Sequence, residues 1–533
     1  MQTLLTIIPI AVLLLCLVVF KLSVTKSGGI AMGLALVLSV VFFKISAYGL
    51  MVASGKALWV GLFVSLIVWN ALFLYHLVSD FGAIEVINAA LMKVLKDKFV
   101  AFLLLAWLFT GLLQGIAGFG IPSVIVAPIL IALGFNPVKS VTASLLGHSW
   151  SIPFGSMGAS FFVISGITGI EQTELGFPVW VLNMVTITMT GIFVCFVYDG
   201  FKGVAKGLTY IIPVVAAMSG MQYLTIHLGM YSLGTINTAL AGVTTMFLLY
   251  KIRSRLSRSK TEQSGAGSGA SISQESETET TTDVLQTKPK LTILQSVFPY
   301  ALILLLLLSF QFIPATVRDL VAIAPNFPAT STALDYSVRA ETNYNPIKLF
   351  IHPAMVLLIA AGVACAIYKK TKVWDSGIFK GAVKKTVKKG VPATLALLAF
   401  GHMSLFMMDS GMMTKLAESV ADITGNFYPL FAPYIGLLGT FLTGNNTNSS
   451  VMFGGFQQAV ALRLELNPAV MSAAQVITGG LGCSIAPTLV FMAALATKQT
   501  EKVSVVLRKL IPIALIISAV MGITNFIFIN NFA

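Results

Sequence analysis

One structural plan occurs twice in this chain, in residues 57–165 and 391–497, offset by about 330 positions. Each copy begins with a hydrophobic span, followed by a Gly-containing polar break and a short amphipathic stretch. Two apolar arms then meet at a tip of small and polar residues, and a long apolar segment with a central proline completes the copy. Irregular backbone at membrane depth is tolerated only where protein or water covers it. Paired interruptions in two halves therefore predict the binding site of a transporter.

Composition sets the broad class. Of the 533 residues, 56% are hydrophobic and only 10% are charged. Apolar segments of about 18 residues recur along the chain, which predicts an all-α, polytopic helical membrane protein. The four cysteines are scattered singly, without a Cys-x-x-Cys pair, so the sequence predicts no disulfide framework, metal site or cofactor. They are Cys16, Cys195, Cys365 and Cys483.

The hydropathy pattern predicts about twelve membrane-spanning helices and two re-entrant hairpins. The predicted spans are 4–20, 29–47, 57–78, 141–165, 178–198, 207–226, 235–252, 294–313, 346–368, 391–410, 468–495 and 511–530. The hairpins are 99–134 and 427–465, whose arms we expect to enter and leave the membrane on the same side. Seven crossings separate the starts of the two copies, so the copies are predicted to be inverted repeats.

The distribution of Lys and Arg predicts the orientation. With the N-terminus outside, only seven of the 34 basic residues lie on the outer side: Lys44, Lys56, Arg318, Arg339, Lys348, Lys415 and Arg463. This asymmetry follows the positive-inside rule and places both termini outside the cell membrane. The formal charge of +14 is thus explained by topology, and no nucleic-acid partner is expected. The first apolar segment has no basic region before it, which favours an uncleaved span over a signal peptide.

The same pattern divides the chain into six parts. We expect scaffold helices in 1–56, the first repeat in 57–198, further scaffold helices in 199–252, a flexible cytoplasmic linker in 253–293, scaffold helices with a basic amphipathic segment in 294–390, and the second repeat in 391–533. The lysine-rich stretch 369–390 is expected to lie on anionic membrane lipid.

The two tips are the first candidate binding elements. At the first tip, Gln114, Gly118, Phe119 and Gly120 combine a polar side chain with glycines that permit close backbone approach. The second tip contains eight consecutive small or polar residues, among them Asn445, Asn446, Thr447 and Ser449. Such a run is costly in lipid unless it contacts water, a ligand or an ion. For the glycine-rich first tip, close helix packing is the structural alternative.

The broken apolar segments are the second candidate elements. Residues 147–156 and 478–488 each contain a proline that removes a helix donor and frees a carbonyl group, although a simple proline kink is the alternative explanation. Their candidate ligands are His148, Ser149, Ser151, Thr478 and Ser484. Neither the tips nor the breaks contain Lys or Arg, which favours a small monoanion over a dianion that would need a guanidinium.

Two stretches resemble the bacterial L-lactate permease family. They are LLQGIAGFGIPSVIVAPILIALGFNPVKSVTASLLGHSWSIPFGSMG (112–158) and LGTFLTGNNTNSSVMFGGFQ (438–457), followed by the glycine-rich region that ends at Pro487. The resemblance implies a secondary active symporter that imports L-lactate, D-lactate, glycolate or a related 2-hydroxy monocarboxylate with protons. It also implies an elevator mechanism, in which the hairpins and broken helices move against a static scaffold, and a homodimer as the candidate oligomer.

Three positions depart from the pattern of that family. The resemblance implies an acid where this chain has Gln114 and Asn446, and an asparagine where it has His148. Amides do not titrate, so proton coupling would fall to His148, whose unperturbed pKa suits the task, or to Asp409 or His402. Alternatively, sodium is the coupling ion and another organic anion is the substrate. An enzyme is not expected, because the repeats contain few carboxylates and no nucleophile motif.

Overall fold

The computed structural model describes residues 2–20, 22–87, 97–118, 120–264, 291–311, 321–349 and 352–531. Phe119 of the first tip, most of the amphipathic stretch 83–96, and residues 265–290 of the predicted linker lie outside the described residues. The chain is almost entirely helical, as the sequence predicts.

The first three helices are α1 (Gln2–Val18), α2 (Val24–Val41) and α3 (Ala47–Asp80). Serine side chains cap two of them: Ser23 accepts a hydrogen bond from the backbone of Lys26, and Ser46 accepts one from Gly49. These caps satisfy backbone N–H groups that have no partner within the helix. They fix the starts of α2 and α3, which flank the rest of the first copy.

The first copy continues through seven short elements after α3. They are α4 (Lys98–Leu103), a π-helical stretch (Leu104–Phe109), α5 (Thr110–Ala117), α6 (Ile121–Ala132), α7 (Pro137–Gly147), a 3-10 turn (Ser149–Ser151) and α8 (Gly155–Thr168). Asn136 caps α7 by accepting from two backbone N–H groups, and Pro137 occupies its first position, where the missing donor costs nothing.

A middle region joins the two copies. It consists of α9 (Gln172–His227), a 3-10 turn (Tyr231–Leu233), α10 (Gly234–Ser264), α11 (Ile293–Gln311), four two-residue strands and α12 (Pro353–Lys370). Non-helical backbone at Asp199 and Gly200 divides α9 into two helices. Residues 253–264 continue α10, so the helix extends into the predicted linker; Lys, Arg and Leu favour helix there.

The second copy repeats the order of the first. Its elements are α13 (Ser376–Asp409), α14 (Met412–Thr424), a 3-10 turn (Gly425–Phe427), α15 (Tyr428–Thr443), α16 (Asn446–Arg463), α17 (Pro468–Ile485) and α18 (Pro487–Ala496). A 3-10 turn (Thr500–Lys502) and α19 (Val503–Asn531) complete the chain. Asn467 caps α17 as Asn136 caps α7.

Within the described ranges, nine helices are long and apolar enough to cross a membrane, and the bent pair α7–α8 adds a tenth. This finding supports a multi-pass membrane protein. The first arm of the first hairpin, Lys98–Ile116, is itself among the nine. The count of twelve spans and the re-entrant course of the hairpins therefore stay predictions.

Helices α3 and α13 each contain 34 residues and lie antiparallel. Lys56, the tenth residue of α3, faces Asp409 at the end of α13, and Lys385, the tenth residue of α13, faces Asp80 at the end of α3. The members of each equivalent pair, Lys56 with Lys385 and Asp80 with Asp409, are 329 positions apart. The pairing is thus reciprocal, and it fixes the two copies against each other.

Two glycines repeat this reciprocity at the contact between the helices. A β-carbon on Gly61 would overlap Leu398, and a β-carbon on Gly390 would lie 2.8 Å from Trp69. Gly390 follows Gly61, and Leu398 follows Trp69, by the same 329 positions. Small residues allow membrane helices to approach closely, and here each helix supplies one such glycine to the other.

The remaining elements of the two copies also pack crosswise. Helix α16 of the second copy packs on α8 of the first, α6 packs on α18, and the 3-10 turn Ser149–Ser151 packs on α17. The tip of each hairpin is consequently placed beside the broken helix of the other copy. The first broken region is fully buried, whereas in the second Ala486 is buried and Pro487 and Thr488 are exposed.

The segment 321–349, here the β segment, contains strands β1 (Ala322–Ile323), β2 (Thr330–Ser331), β3 (Ser337–Val338) and β4 (Ile347–Lys348). Strand β1 pairs antiparallel with β4, and β2 with β3. The β segment is tied to both α3 and α8. Trp59 Nε1 donates to the carbonyl oxygen of Asn345 (2.9 Å), and the Tyr344 hydroxyl donates to that of Gly166 (2.7 Å).

Candidate functional site

The second tip is a short turn between α15 and α16. Gly444 adopts the left-handed conformation (φ 70°), and Asn445 caps α16 through a hydrogen bond from the Thr447 backbone N–H to Asn445 Oδ1 (2.8 Å). Asn446, the first residue of α16, donates from Nδ2 to the carbonyl oxygen of Val476 (2.9 Å). The irregular part is shorter than the predicted run of eight residues, because Thr447 and the residues after it form the first turns of a helix.

The first tip has the same form. Helix α5 ends at Ala117, Gly120 is left-handed (φ 76°), and α6 begins at Ile121 with Pro122 in its first turn. Gln114 lies in the last turn of α5, within reach of Gly155 in the first break. Both tips therefore present the N-terminus of their second arm beside a broken helix.

The first break is an extended irregular region, as predicted. Helix α7 ends at Gly147, and the axis bends by 52° before it continues as α8. Three consecutive residues, Ser156, Met157 and Gly158, adopt left-handed backbone angles, with φ values of 48°, 58° and 85°. This conformation is costly for non-glycine residues and is found where the surrounding structure enforces it, often at functional sites. It turns Ser156 toward Gly118 of the first tip.

The second break is much smaller than the predicted range 478–488. Helix α17 is continuous to Ile485, only Ala486 is extended (φ −63°, ψ 121°), and α18 begins at Pro487. The physical reason is local, since proline restricts the residue before it to extended backbone. The glycines of this region serve close packing: Gly479 faces Asn446, and Gly480 faces the first break.

A small, partly open cavity lies where the tips and breaks converge. Six of the predicted residues line it, three from each copy: Gln114, Gly120, His148, Asn445, Asn446 and Thr447. The rest of the lining comprises Ile152, Gly155, Ser156, Ala159, Ser160, Gly444, Cys483 and Leu489. Among the residues that the structure describes, no Lys, Arg, Asp or Glu belongs to this lining.

Three buried polar atoms of the cavity residues have no hydrogen-bond partner in the described part of the chain: Gln114 Oε1, His148 Nε2 and Asn446 Oδ1. Buried polar groups are normally paired, so three such atoms at one cavity indicate a place for a ligand.

The contacts of His148 determine which ring nitrogen carries the proton when the ring is neutral. Its Nδ1 lies 3.0 Å from the carbonyl oxygen of Ser144, which can only accept, so Nδ1 holds the proton of the neutral ring. Ser123 Oγ lies 3.2 Å from the same nitrogen and helps to fix the ring. The lone pair of Nε2 is therefore free to accept a hydrogen bond or a proton from a ligand.

The first turn of α16 provides a region of positive electrostatic potential beside these acceptor atoms. Gly444, Asn445, Asn446 and Thr447 line the cavity at the N-terminus of an 18-residue helix. Helix N-termini attract anions through their free N–H groups and the helix dipole. The site thus offers acceptors for a donating group and, beside them, a region of positive potential for an anionic group.

Five predicted hydroxyls do not line the cavity, and each donates to a nearby carbonyl group. Thr478 Oγ1 donates to Ala474 (2.7 Å), and Ser149, Ser151, Ser449 and Ser484 donate to Leu146, His148, Gly436 and Leu481. Four of these bonds run back along the same segment, which is common for hydroxyls in helices, whereas Ser449 of α16 donates across to α15. Gly118 lies next to the cavity, where it leaves space for Ser156.

The predicted coupling residues lie in different places. His148 lines the cavity, whereas His402 Nδ1 contacts the carbonyl oxygen of Leu398 (2.7 Å) within α13. Asp409, at the end of α13, contacts Lys56 of α3. Within the described ranges there is no group of three His, Cys, Asp or Glu residues that could hold a metal ion.

Sequence reasoning missed several cavity residues. Ser160 Oγ lies 3.1 Å from Thr447 Oγ1 and links α8 to the second tip, while Ser156 and Cys483 complete the polar lining. Ser156 and Ser160 are four residues apart in an otherwise apolar segment. Hydroxyl groups in an apolar membrane segment could have indicated their role.

Known proteins resemble the chain over nearly its whole length. The L-lactate permease family model matches residues 2–531. The L-lactate permease of Streptococcus iniae is 27% identical, with 89% of this chain and 93% of the relative covered. The glycolate permease GlcA of Escherichia coli is 25% identical (98% and 95% covered), and the L-lactate permease of Bacillus subtilis 24% (99% and 96%).

Among solved structures, the YdaH transporter of Alcanivorax borkumensis is similar at a TM-score of 0.42 and 13% identity, with 88% of this chain and 85% of that chain covered. The permeases match over at least nine-tenths of their own length, and the multi-pass helical architecture agrees with a membrane transporter. Because the family model covers the chain from residue 2 to residue 531, the protein belongs to the L-lactate permease family.

Proposed function

We propose that this protein is a secondary active symporter that imports a small 2-hydroxy monocarboxylate, such as L-lactate, D-lactate or glycolate, with protons across the cell membrane. The observation that supports this most is the cavity shared by the two copies, with its three unpartnered acceptors beside the N-terminus of α16. The relatives are named as lactate and glycolate permeases, which agrees with this substrate class.

The cavity suggests how such a substrate binds. The carboxylate would accept from the first turn of α16, where helix N–H groups favour an anion. The 2-hydroxyl group would donate to His148 Nε2 or Asn446 Oδ1, which otherwise have no partner among the described residues. A carboxylate without a hydroxyl leaves these acceptors unpaired, and buried unpaired groups cost binding energy. A neutral site without Lys or Arg suits a monoanion better than a dianion.

For the mechanism, we propose inverted repeats that work as an elevator, with the hairpins and broken helices moving against the scaffold. The antiparallel, reciprocal pairing of α3 and α13 supports an inverted relation between the copies. The crosswise packing of tips and breaks supports a single binding site at their meeting point. Twelve spans, both termini outside and a homodimer complete this proposal.

The alternative is a sodium-coupled transporter of another organic anion. It is favoured by the amide and hydroxyl oxygens of Gln114, Asn446 and Thr447, which are hard, neutral ligands suited to a cation. Protons remain the preferred coupling ion, because the chain offers titratable groups in His148, which lines the cavity, and Asp409 at the end of α13.

Uptake of labelled L-lactate, D-lactate and glycolate into proteoliposomes tests the function. We expect accumulation under an inward proton gradient without sodium. Asn446→Ala should impair uptake, whereas Ser149→Ala, whose hydroxyl faces its own helix, should retain it. Accumulation that requires sodium would favour the alternative, and no uptake of any of the three acids would overturn the substrate assignment.

A further inference from the structure

We propose that the coupled proton is bound by a cluster of Glu341, Lys56 and Asp409, outside the substrate cavity, with Asp409 as the group that takes it up. This proposal rests on the proton coupling of the proposed function and names its site. Three elements contribute one residue each: the β segment, α3 and α13.

The contacts of the cluster are unequal. Lys56 Nζ lies 2.7 Å from Glu341 Oε1 and 3.5 Å from Asp409 Oδ2. Lys56 is 2% exposed and Asp409 5%, whereas the side chain of Glu341 is 35% exposed. Within the described residues, Asp409 Oδ2 accepts no hydrogen bond. The ammonium group is therefore held mainly by Glu341, and Asp409 is the less stabilised carboxylate.

The charge of the cluster identifies its ligand. Two carboxylates share one ammonium group, so the cluster has a formal charge of −1 when all three residues are ionised. A buried net charge is costly, and one of two carboxylates that share a site is readily protonated. Binding of one proton to an Asp409 carboxylate oxygen gives a neutral acid beside a neutral Lys56–Glu341 pair. Among the described residues, two tyrosines also lie nearby: Tyr344, whose hydroxyl donates to Gly166, and Tyr336, whose ring packs on Gly411.

The chain contains an equivalent pair that lacks these properties. Lys385 and Asp80 occupy the same positions in the opposite helices, with Lys385 Nζ 2.7 Å from Asp80 Oδ1. Their side chains are 55% and 18% exposed, and in the described structure no second carboxylate contacts Lys385. This pair has no net charge and is partly exposed to solvent. The Lys385–Asp80 pair therefore serves as an internal control.

A structural connection links the cluster to the cavity. Helix α13 packs on α16, and Met408, directly before Asp409, fills the space that a β-carbon on Gly455 of α16 would occupy. The first residue of α16 is Asn446, which lines the cavity. A change in the contact between Asp409 and Lys56 can thus alter how the second hairpin sits against α13.

The test compares Asp409→Asn, Glu341→Gln and Asp80→Asn in proteoliposomes. Two activities are measured: exchange of labelled L-lactate at equal pH and concentration on both sides, and accumulation under an inward proton gradient. One proton per substrate allows wild-type accumulation of up to about tenfold per unit of pH difference. We expect Asp409→Asn to retain exchange and to lose accumulation, with an internal concentration that only equals the external one.

Glu341→Gln tests the same proposal if Asp409→Asn does not fold. It leaves a neutral Lys56–Asp409 pair, so Asp409 should stay ionised and accumulation should again be lost. Asp80→Asn should accumulate substrate as the wild type does. Infrared difference spectra at high and low pH should show the C=O band of a protonated carboxylic acid in the wild type and in Asp80→Asn, but not in Asp409→Asn.

The outcomes separate this proposal from the function on which it rests. Normal exchange together with undiminished proton-driven accumulation in Asp409→Asn would overturn the cluster as the coupling site and leave the transport function intact. Wild-type accumulation with sodium alone would also overturn it. Absence of wild-type exchange with all three hydroxy acids would overturn the transport function and this proposal with it.

Discussion

The carboxamide oxygen of Asn446 occupies the space that a β-carbon on Gly479 would fill. The two residues lie on different elements, Asn446 at the start of α16 and Gly479 in the middle of α17. Asn446 also donates to the backbone of Val476, one turn before Gly479. The absence of a side chain at Gly479 thus sets the position of a cavity residue.

Gly479→Ala should displace Asn446 and reduce uptake by at least about tenfold, since small misplacements at a binding site are costly. The added methyl group cannot fit while Asn446 stays bonded to Val476. The measurement is uptake per amount of folded protein. Gly362→Ala, in the helix α12 with open space around it, is the matched control and should transport normally. Normal uptake by Gly479→Ala would show that Asn446 does not contribute to substrate binding.

His148→Ala should raise the KM for L-lactate by about tenfold, because loss of one hydrogen bond to a buried acceptor costs roughly 1–2 kcal/mol. The effect should be smaller for propionate, which has no hydroxyl to donate to Nε2. His402→Ala is the control, since His402 bonds within its own helix. An equal change of KM for both acids would contradict a bond between the hydroxyl group and His148.

Cys483 should report occupancy of the cavity. It lines the cavity, whereas Cys16, Cys195 and Cys365 do not. In a variant with these three changed to serine, a small thiol reagent should inactivate uptake slowly, because Cys483 is only 5% exposed. L-lactate should protect the thiol, and acetate should protect less. Labelling rates that do not change with substrate would place the binding site elsewhere.

Gly390→Ala should lower stability by about 1–3 kcal/mol through overpacking. The new methyl group would lie 2.8 Å from the ring of Trp69, which is held in place by a hydrogen bond from Nε1 to Thr394 (2.9 Å). Thermal unfolding in detergent measures the effect. Gly381→Ala, in the same helix with open space, should leave Tm unchanged or raise it slightly. Equal Tm values for both variants would show that α3 and α13 separate easily.

Much of the architecture could be predicted from sequence, because glycine, proline and asparagine act locally. The structure begins α7 and α17 at the Asn-Pro pairs 136–137 and 467–468, and the break predicted near Pro487 coincides with the end of α17. The extent of the second break was wrong, however. The predicted range 478–488 was too long, since Gly479, Gly480 and Gly482 stay helical where neighbouring helices approach them closely.

The candidate site could also be predicted only in part, because contacts between helices are not visible in the local sequence. Residues on tips, such as Asn446, could be recognised as polar groups in an apolar environment. Which hydroxyls face the cavity depends on rotation about helix axes, and Ser149, Thr478 and Ser484 face their own helices instead. The pairing of Lys56 with Asp409 joins residues more than 350 positions apart, and composition alone does not reveal such contacts.

The reciprocal contacts of α3 and α13 affect how substitutions at the two ends of this helix pair can act. If both helices had one identical sequence, every substitution would act at the two ends of the pair at once. Because they are separate segments, each end can change alone. One end contains Glu341 in a buried environment, while the other is an open Lys385–Asp80 pair. The two ends of a nearly symmetric helix pair can thus carry different chemistry.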